Sequence, residues 1–566
     1  MRVDQALADE LHRHGVRQIF GLMGEDTAKL ILRLTALGAS YLSSRHELGA
    51  VGMADGYARV TGDLGVAVLS RGPGFLNGLT SLVTASRSGS KVLVLVAHSA
   101  DALPREPTVR ATARRSHKFI DQEAILDAIG VEHLTFHDPA TAAADLAAAI
   151  ARVRTGVTLV VNLPMDYVVA SFDQANPRSS VVLAPPSGPR PPDPAEIEQV
   201  ADLLETTWAA SNPIVLAGRG AVRADAGADL ARLAEMTGSL VTTTLPATSM
   251  FRGDPFDLGI MGTFSTDVAS ELLARCDVLL AFGASLNRLT TYGNALTPKA
   301  RIVHFDDDPA AFGKHVEAEL VVHGDVGLAA TALIAELGRR GHRYEGYRTS
   351  AIAEQIASFD RQAGIRDQSD AEGLDTRVVS IALNDAIPKE RVLVFDPGHY
   401  FALMLPFFDV ADPKSLVLPL DFGAIGTGGP MATGAALAQR DRLTVLAAGD
   451  GGYMLTMSEL DTAIRARVPL LVLVFNDSAY GAEVHILGAE GLPTELARFD
   501  VRAFDQIAVS MGAEGIPIHT LADVDCLRKR LEHGLDGVLV ADVRITTAVR
   551  ADFVNAISLV TGQKAK

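Results

Sequence analysis

Asp450 lies in AAGDGG, 447–452, and Asp477 ends PLLVLVFND, 469–477; each directly follows a short apolar run that reads as a buried strand. In open α/β sheets ligands collect beyond the carboxyl ends of the strands, so chemistry is expected in the residues that follow such runs. The two aspartates are one helix-plus-strand unit apart, which brings them together if the strands are adjacent and parallel. Converging carboxylates repel unless a cation sits between them, and a hard divalent ion such as Mg²⁺ suits an all-oxygen site completed by ligand oxygens and water. Gly449, Gly451 and Gly452 let the backbone approach that ligand. Each feature also has an ordinary reading: Gly-Asp-Gly makes common strand-to-helix turns, and Asn476-Asp477 suits an Asx turn.

The elements that must position these residues form three similar blocks. A chain of 566 residues exceeds what one hydrophobic core supports, and 48% apolar with 21% charged residues describes globular domains, not disorder. VAVLS (66–70), KVLVLVA (91–97) and TLVVNLP (158–164) predict a first α/β domain over 1–170, followed by a proline-rich linker over 171–194. PIVLAGRGA (213–221), SLVTTT, CDVLLAFGA (276–284), RIVHFDDDP (301–309) and VVHGD (321–325) predict a central Rossmann-like domain over 195–340. After a polar linker, 341–372, come RVLVFDPGHY (391–400), LTVLAAGDGG (443–452), PLLVLVFND and VLVADV (538–543), in a third domain over 373–550 with a tail at 551–566. The fold class predicted is α/β, three consecutive open parallel sheets flanked by helices.

A net charge of −17 repels nucleic acid and anionic membrane surfaces, so neither is expected as a partner. It offers anionic ligands no general attraction either; a phosphate or carboxylate must be held by local devices. The apolar runs are too short to span a bilayer, the N-terminus MRVDQALADELHRHG does not read as a signal peptide, and Cys276 with Cys526 are too few for a disulfide framework. A cytoplasmic location is expected.

With these residues in view, the chain resembles the thiamine-diphosphate enzymes of the acetohydroxyacid synthase, benzoylformate decarboxylase and pyruvate decarboxylase group, nearest in wording to acetolactate-synthase-like members. Their cofactor motif, a Gly-Asp-Gly followed further on by a double asparagine, reads here GDGGYMLTMSELDTAIRARVPLLVLVFNDSAYG, 449–481. The resemblance implies a Mg²⁺ held by Asp450, Asp477 and the backbone carbonyl of Ala479. The family usually has Asn in place of Asp477; the extra charge beside the diphosphate leaves an oxygen ligand in place.

A second match, SSRHELGAVGMADGYARVTGDLGVAVLSRGPGFLN at 43–77, implies Glu47 as the catalytic glutamate. In that role it donates to the aminopyrimidine ring, favours the imino tautomer and lets the cofactor deprotonate its own thiazolium carbon, which calls for a buried carboxyl with raised pKa. Taken alone, Glu47 is an acid at a helix start. A third match, DFGAIGTGGPMATGAALA at 421–438, puts Ile425 at the apolar wedge that bends the cofactor; taken alone Ile425 reads as core. DPGHY, 396–400, puts Gly398 and His399 against the diphosphate, and Gly74, Asn77, Gly449, Gly451, Gly452 and Tyr480 complete the implied cofactor-binding set. In such enzymes the glutamate and the diphosphate loops come from different subunits, which implies at least a homodimer and commonly a homotetramer.

The reaction is less sharply implied. HKFIDQEAI, 117–125, resembles a Phe-Gln-Glu segment of the synthases and puts Gln122 near the substrate, while the adjacent His-His pair of pyruvate decarboxylases is missing. Glu25, in FGLMGEDT, stands where decarboxylases carry a substrate-facing polar residue, and Arg71 is suited either to a substrate carboxylate or to a bridge with Glu25. The expected activity is carboligation of small 2-oxo acids and aldehydes through a thiazolium-bound carbanion. A non-oxidative 2-oxo-acid decarboxylase or a 2-hydroxyketone lyase is the alternative, and a catalytically silent scaffold the non-enzyme one. A nicotinamide dehydrogenase needs a G-x-G-x-x-G turn after the first strand, which FGLMGEDT does not supply. FAD in the central domain is allowed by family analogy, but the glycines of GRGA, 218–221, suit any Rossmann-like turn.

Overall fold

The computed structural model of the chain describes residues 1–99, 117–172, 188–207, 212–341, 344 and 346–551. Most of the expected proline-rich linker and nearly all of the expected tail lie outside the described residues.

The first sheet contains β1 (Gln18–Gly21), β2 (Ser40–Ser43), β3 (Gly65–Leu69), β4 (Val92–His98), β5 (Glu132–Thr135) and β6 (Leu159–Pro164), in the order β2-β1-β3-β4-β6-β5. The second contains β7 (Pro213–Ala217), β8 (Leu240–Thr243), β9 (Asp257–Ile260), β10 (Val278–Phe282), β11 (Arg301–Asp306) and β12 (Leu320–His323), in the order β12-β11-β10-β7-β8-β9. The third contains β13 (Arg391–Phe395), β14 (Leu416–Val417), β15 (Leu443–Gly449), β16 (Leu470–Asn476), β17 (Glu514–Ile518) and β18 (Val538–Arg544), in the order β14-β13-β15-β16-β18-β17. The sheets are parallel, as the uninterrupted apolar runs require: β3 and β4 are buried along their whole lengths.

Each order reverses at its first strand, between β1 and β3, between β7 and β10, and between β13 and β15; the first and third reverse again where β6 and β18 return inside β5 and β17. Loops diverge to opposite sides at the first of these reversals and leave a crevice at the carboxyl edge. In the second sheet the crevice brings backbones into contact: Gly218 and Gly220 close on Gly283, whose carbonyl accepts the Gly220 N–H at 2.9 Å.

Residue contacts gather the three sheets into two compact units. The described residues of 1–186, 368–401 and 417–549 form one compact unit that holds the first and third sheets, and those of 187–367, 402–416 and 550–566 form another. Within the first unit, the helix Glu47–Thr61 crosses the helix Gly428–Ala438 backbone to backbone. A Cβ on Gly56 would lie 2.0 Å from the Met431 carbonyl oxygen, and one on Gly434 would lie 2.0 Å from that of Met53. This reciprocal contact is open only to glycine.

Candidate active site

Two clusters form in this first unit, one at the carboxyl edge of each sheet. At the third sheet, β15 and β16 are adjacent with Gly449 opposite Phe475, so the residues that follow them, Asp450 and Asp477, come together. Burial raises the pKa of both carboxyls, and for Asp477 the neighbouring charge of Asp450 adds to the rise. Two buried acids driven towards their protonated forms, Asp477 also by the charge of Asp450, form a seat that a divalent cation would relieve, so the donors present fit the implied Mg²⁺. Asp477 Oδ1 also accepts the Ala479 N–H at 3.1 Å, so the ordinary Asx turn is present as well. Between them Ser478 takes a left-handed φ of 55°, a strained value for a residue with a side chain, and Ala479 is buried.

The glycines fit a backbone cradle. A Cβ on Gly451 would lie 2.6 Å from the ring of Tyr480, and one on Gly452 would lie 2.2 Å from Asp396 Oδ2. Asp396, at the end of β13, is fully buried; its carboxylate accepts the N–H of Gly426 at 2.9 Å and of Gly428 at 2.8 Å. It thereby fixes the turn that carries Ile425, which is itself 37% exposed, not core. Burial pushes the Asp396 pKa up to about 6 against the pull of the Gly426, Gly428 and Thr427 N–H donors. The other flank of that turn is held by Arg59, which donates to the Leu418 carbonyl at 2.8 Å, and by Ser88, which donates to Asp421 at 2.6 Å. Gly398 packs on the Tyr400 ring, and buried His399 lies 4.2 Å from His485, centroid to centroid.

Three further residues serve these clusters with no motif to mark them. Asp396 and Glu459 lie inside the quoted segments but carry no distinctive spacing. Arg544, at the end of β18, donates to Ser478 Oγ at 3.1 Å, and its charge favours ionised Asp450. Only the β16–β18 register, which sets Arg544 opposite Asn476, brings it there.

At the first sheet, Glu47 is the first residue of its helix and is buried. Asn77 donates to Glu47 Oε2 at 3.0 Å, and a Cβ on Gly74 would sit 3.1 Å from Oε1, so Glu47, Gly74 and Asn77 come together. Gln122 is buried with its amide engaged: Nε2 donates to Asn162 at 3.0 Å, and Oε1 takes the Gly72 N–H at 3.5 Å. It therefore braces the turn before Gly74.

The Glu25–Arg71 bridge, one of the two alternatives for Arg71, is not formed. Glu25 is exposed, and Arg71 Nε instead lies 3.2 Å from the Oδ2 of buried Asp26. The turn after β1 puts consecutive side chains on opposite sides, and the neighbour takes the inward one.

Sequence comparison places these geometries in a family. Residues 1–125 match the thiamine pyrophosphate enzyme N-terminal TPP binding domain, 197–333 the central domain and 396–543 the C-terminal TPP binding domain, thiamine pyrophosphate being another name for thiamine diphosphate. The acetolactate synthase large subunit of Parasynechococcus marenigrum (strain WH8102) is 30% identical over 488 residues, 84% of this chain and 76% of that protein. A probable acetolactate synthase large subunit of Methanocaldococcus jannaschii is 28% identical over 85% of this chain and 81% of its own. The sulfoacetaldehyde acetyltransferase of Alcaligenes xylosoxydans xylosoxydans is 27% identical over 565 residues, 93% of this chain and 89% of that protein. No described helix is long and apolar enough to cross a membrane. With its cofactor domains matched in order, the chain belongs to the thiamine pyrophosphate enzymes, as a transferase or lyase that forms or cleaves carbon–carbon bonds.

Proposed function

We propose that the chain is a Mg²⁺-dependent carboligase of 2-oxo acids, acetolactate-synthase-like, acting in the cytoplasm as a homodimer or homotetramer. When bound, thiamine diphosphate supplies the nucleophilic carbon and the electron sink for a bond made or broken beside a carbonyl. Asp450, Asp477 and the Ala479 carbonyl would hold the metal, and the glycine cradle with Gly398 and His399 would hold the diphosphate. Ile425 supplies the apolar wedge. Glu47 exchanges a proton with the pyrimidine ring, and Glu25 and Arg71 face the substrate.

The observation that carries this reading is the buried Glu47 carboxylate steadied by Asn77 at 3.0 Å, in the same compact unit as the paired aspartates. A catalytically silent scaffold has no use for a buried acid so held. Support for carboligation comes from the synthase relatives and from the motif wording. A second reading, transfer of a two-carbon group involving a sulfonated aldehyde, is favoured by the fuller coverage of both chains in the acetyltransferase match.

Product analysis by NMR decides. Incubation of the holoenzyme with pyruvate alone is expected to give acetolactate. Free acetaldehyde as sole product would replace ligation by decarboxylation, and turnover only with sulfoacetaldehyde would favour the second reading.

A further inference from the structure

Four buried polar atoms lie around the crevice between β1 and β3 without a hydrogen bond among the described residues: Asp26 Oδ1 and Oδ2, Ser70 Oγ and Arg71 Nε. Native structures rarely leave such groups unmet, because each costs about 1–3 kcal/mol in lost solvation. The Asp26 side chain is 1% exposed and that of Arg71 21% exposed. Their contact, Asp26 Oδ2 to Arg71 Nε at 3.2 Å, engages only the inner edge of the guanidinium. Nη1 and Nη2 carry no hydrogen bond among the described residues, so within these the outer fork has no partner. The cluster borders the catalytic acid: the same Gly74 position lies 3.1 Å from Glu47 Oε1 and 3.2 Å from Ser70 Cβ, measured from its would-be Cβ. Gly24 completes the pocket, since any side chain there would run into Ser70 Oγ, 2.0 Å from its Cβ position.

We propose that Asp26 is a positioning residue that holds Arg71 by Nε and presents its two terminal nitrogens as a fork for an oxyanion carried by the substrate, with the Ser70 hydroxyl beside it. This rests on the reading that Arg71 meets the substrate, and it assigns the aiming to Asp26, a residue that neither the motifs nor the comparisons single out. A planar guanidinium with one edge fixed binds carboxylate or sulfonate oxygens in pairs, which a lysine at the same place cannot do. Asp26 also offsets the charge of the arginine, so the fork selects an anion through geometry.

The test uses holoenzyme loaded with thiamine diphosphate and Mg²⁺, titrated with acetate, methanesulfonate, inorganic phosphate and neutral acetamide, with affinities from ligand-observed NMR. Asp26→Asn and Arg71→Lys are both expected to weaken the preferred anion about tenfold while acetamide binding stays put. KM for pyruvate should rise about tenfold more than KM for acetaldehyde in each variant. Preference for acetate identifies a carboxylate substrate, for methanesulfonate a sulfonate, and for phosphate a phosphorylated one. Weakening in Arg71→Lys with wild-type behaviour in Asp26→Asn overturns the role of Asp26 but leaves the Arg71 reading intact. Wild-type anion affinity in both variants overturns the Arg71 reading itself. Equal loss of anions and acetamide with a lowered Tm makes the pair structural and overturns the proposal. If Asp26→Asn does not fold, Asp26→Glu replaces it: the displaced carboxylate must weaken anion binding, and unaltered binding refutes the aiming role.

Discussion

The carboxylate of Glu459 accepts the backbone N–H of His46 at 2.8 Å and that of Arg45 at 3.0 Å, so the residues just before Glu47 are held by a side chain from the third block. A Cβ on Gly49 would lie 2.2 Å from the same oxygen, so the first turn of the Glu47 helix closes directly on Glu459. Arg45 and Arg465 reinforce the joint, through Asp461 at 2.7 Å and the Ser43 carbonyl at 2.6 Å.

Glu459→Gln is expected to slow turnover roughly tenfold while thiamine diphosphate still binds, because the one oxygen that accepts both backbone N–H groups loses its charge and the two hydrogen bonds weaken together. The readout is hydrogen–deuterium exchange at the thiazolium carbon, followed by proton NMR after acid quench. An exchange rate equal to wild type would show that Glu459 merely staples the blocks together.

Glu47→Gln should bind cofactor nearly normally and lose turnover by roughly 10²- to 10⁴-fold, the scale for removing a positioned acid. The amide oxygen can still accept from Asn77, so the Tm should change little. Unchanged exchange at the thiazolium carbon would remove Glu47 from the mechanism.

The paired aspartates predict a pH signature for the metal-free protein. Both carboxyls have raised pKa values in the folded state, so the folded chain holds protons that the unfolded chain has released. Stability must then fall as pH rises from roughly 4 to roughly 8, the reverse of the usual carboxylate trend. Thermal unfolding across that range should show a declining Tm that Mg²⁺ with thiamine diphosphate restores, most strongly at the alkaline end. Asp477→Asn removes the repulsion, flattens the slope and keeps an oxygen ligand; a variant as steep as wild type would refute the coupling.

Asp396→Asn should disturb the Ile425 turn, because one of the two backbone N–H groups at Gly426 and Gly428 would meet an amide N–H. About 1.5–3 kcal/mol is the scale for losing a hydrogen bond to a charged group in a buried place. Affinity for thiamine diphosphate, measured calorimetrically in Mg²⁺, is expected to fall about tenfold or more on that scale. Ile425→Ala keeps the Asp396 clamp and should slow thiazolium exchange with smaller loss of affinity; identical behaviour of the two variants would argue against separate roles.

The central strands were legible because a strand buried on both faces needs an unbroken apolar run, and β3, β4, β15 and β16 each show one. The strands without such a run, β2, β5, β9, β14 and β17, are all sheet edges, short and partly exposed, with patterns such as the exposed start of SYLS and EHLT. An edge strand has one neighbour and needs little apolar sequence, so its signal is weak.

The same division holds at the site. The sequence by itself determined the strand-end aspartates, the glycine positions and the Glu47 segment, since these are local patterns of residue type and spacing. Tertiary structure alone decided that Asp26 and not Glu25 faces Arg71, that Asp396 grips the Ile425 turn, that Arg544 stands beside the metal seat, and that Glu459 steadies Glu47 across 412 positions of chain, as the gap between its partners His46 and Arg45 and itself of 413 and 414 also shows. Those relationships join residues whose separation in sequence carries no period. They are set by strand order, by register and by the closeness with which glycine lets two helices cross.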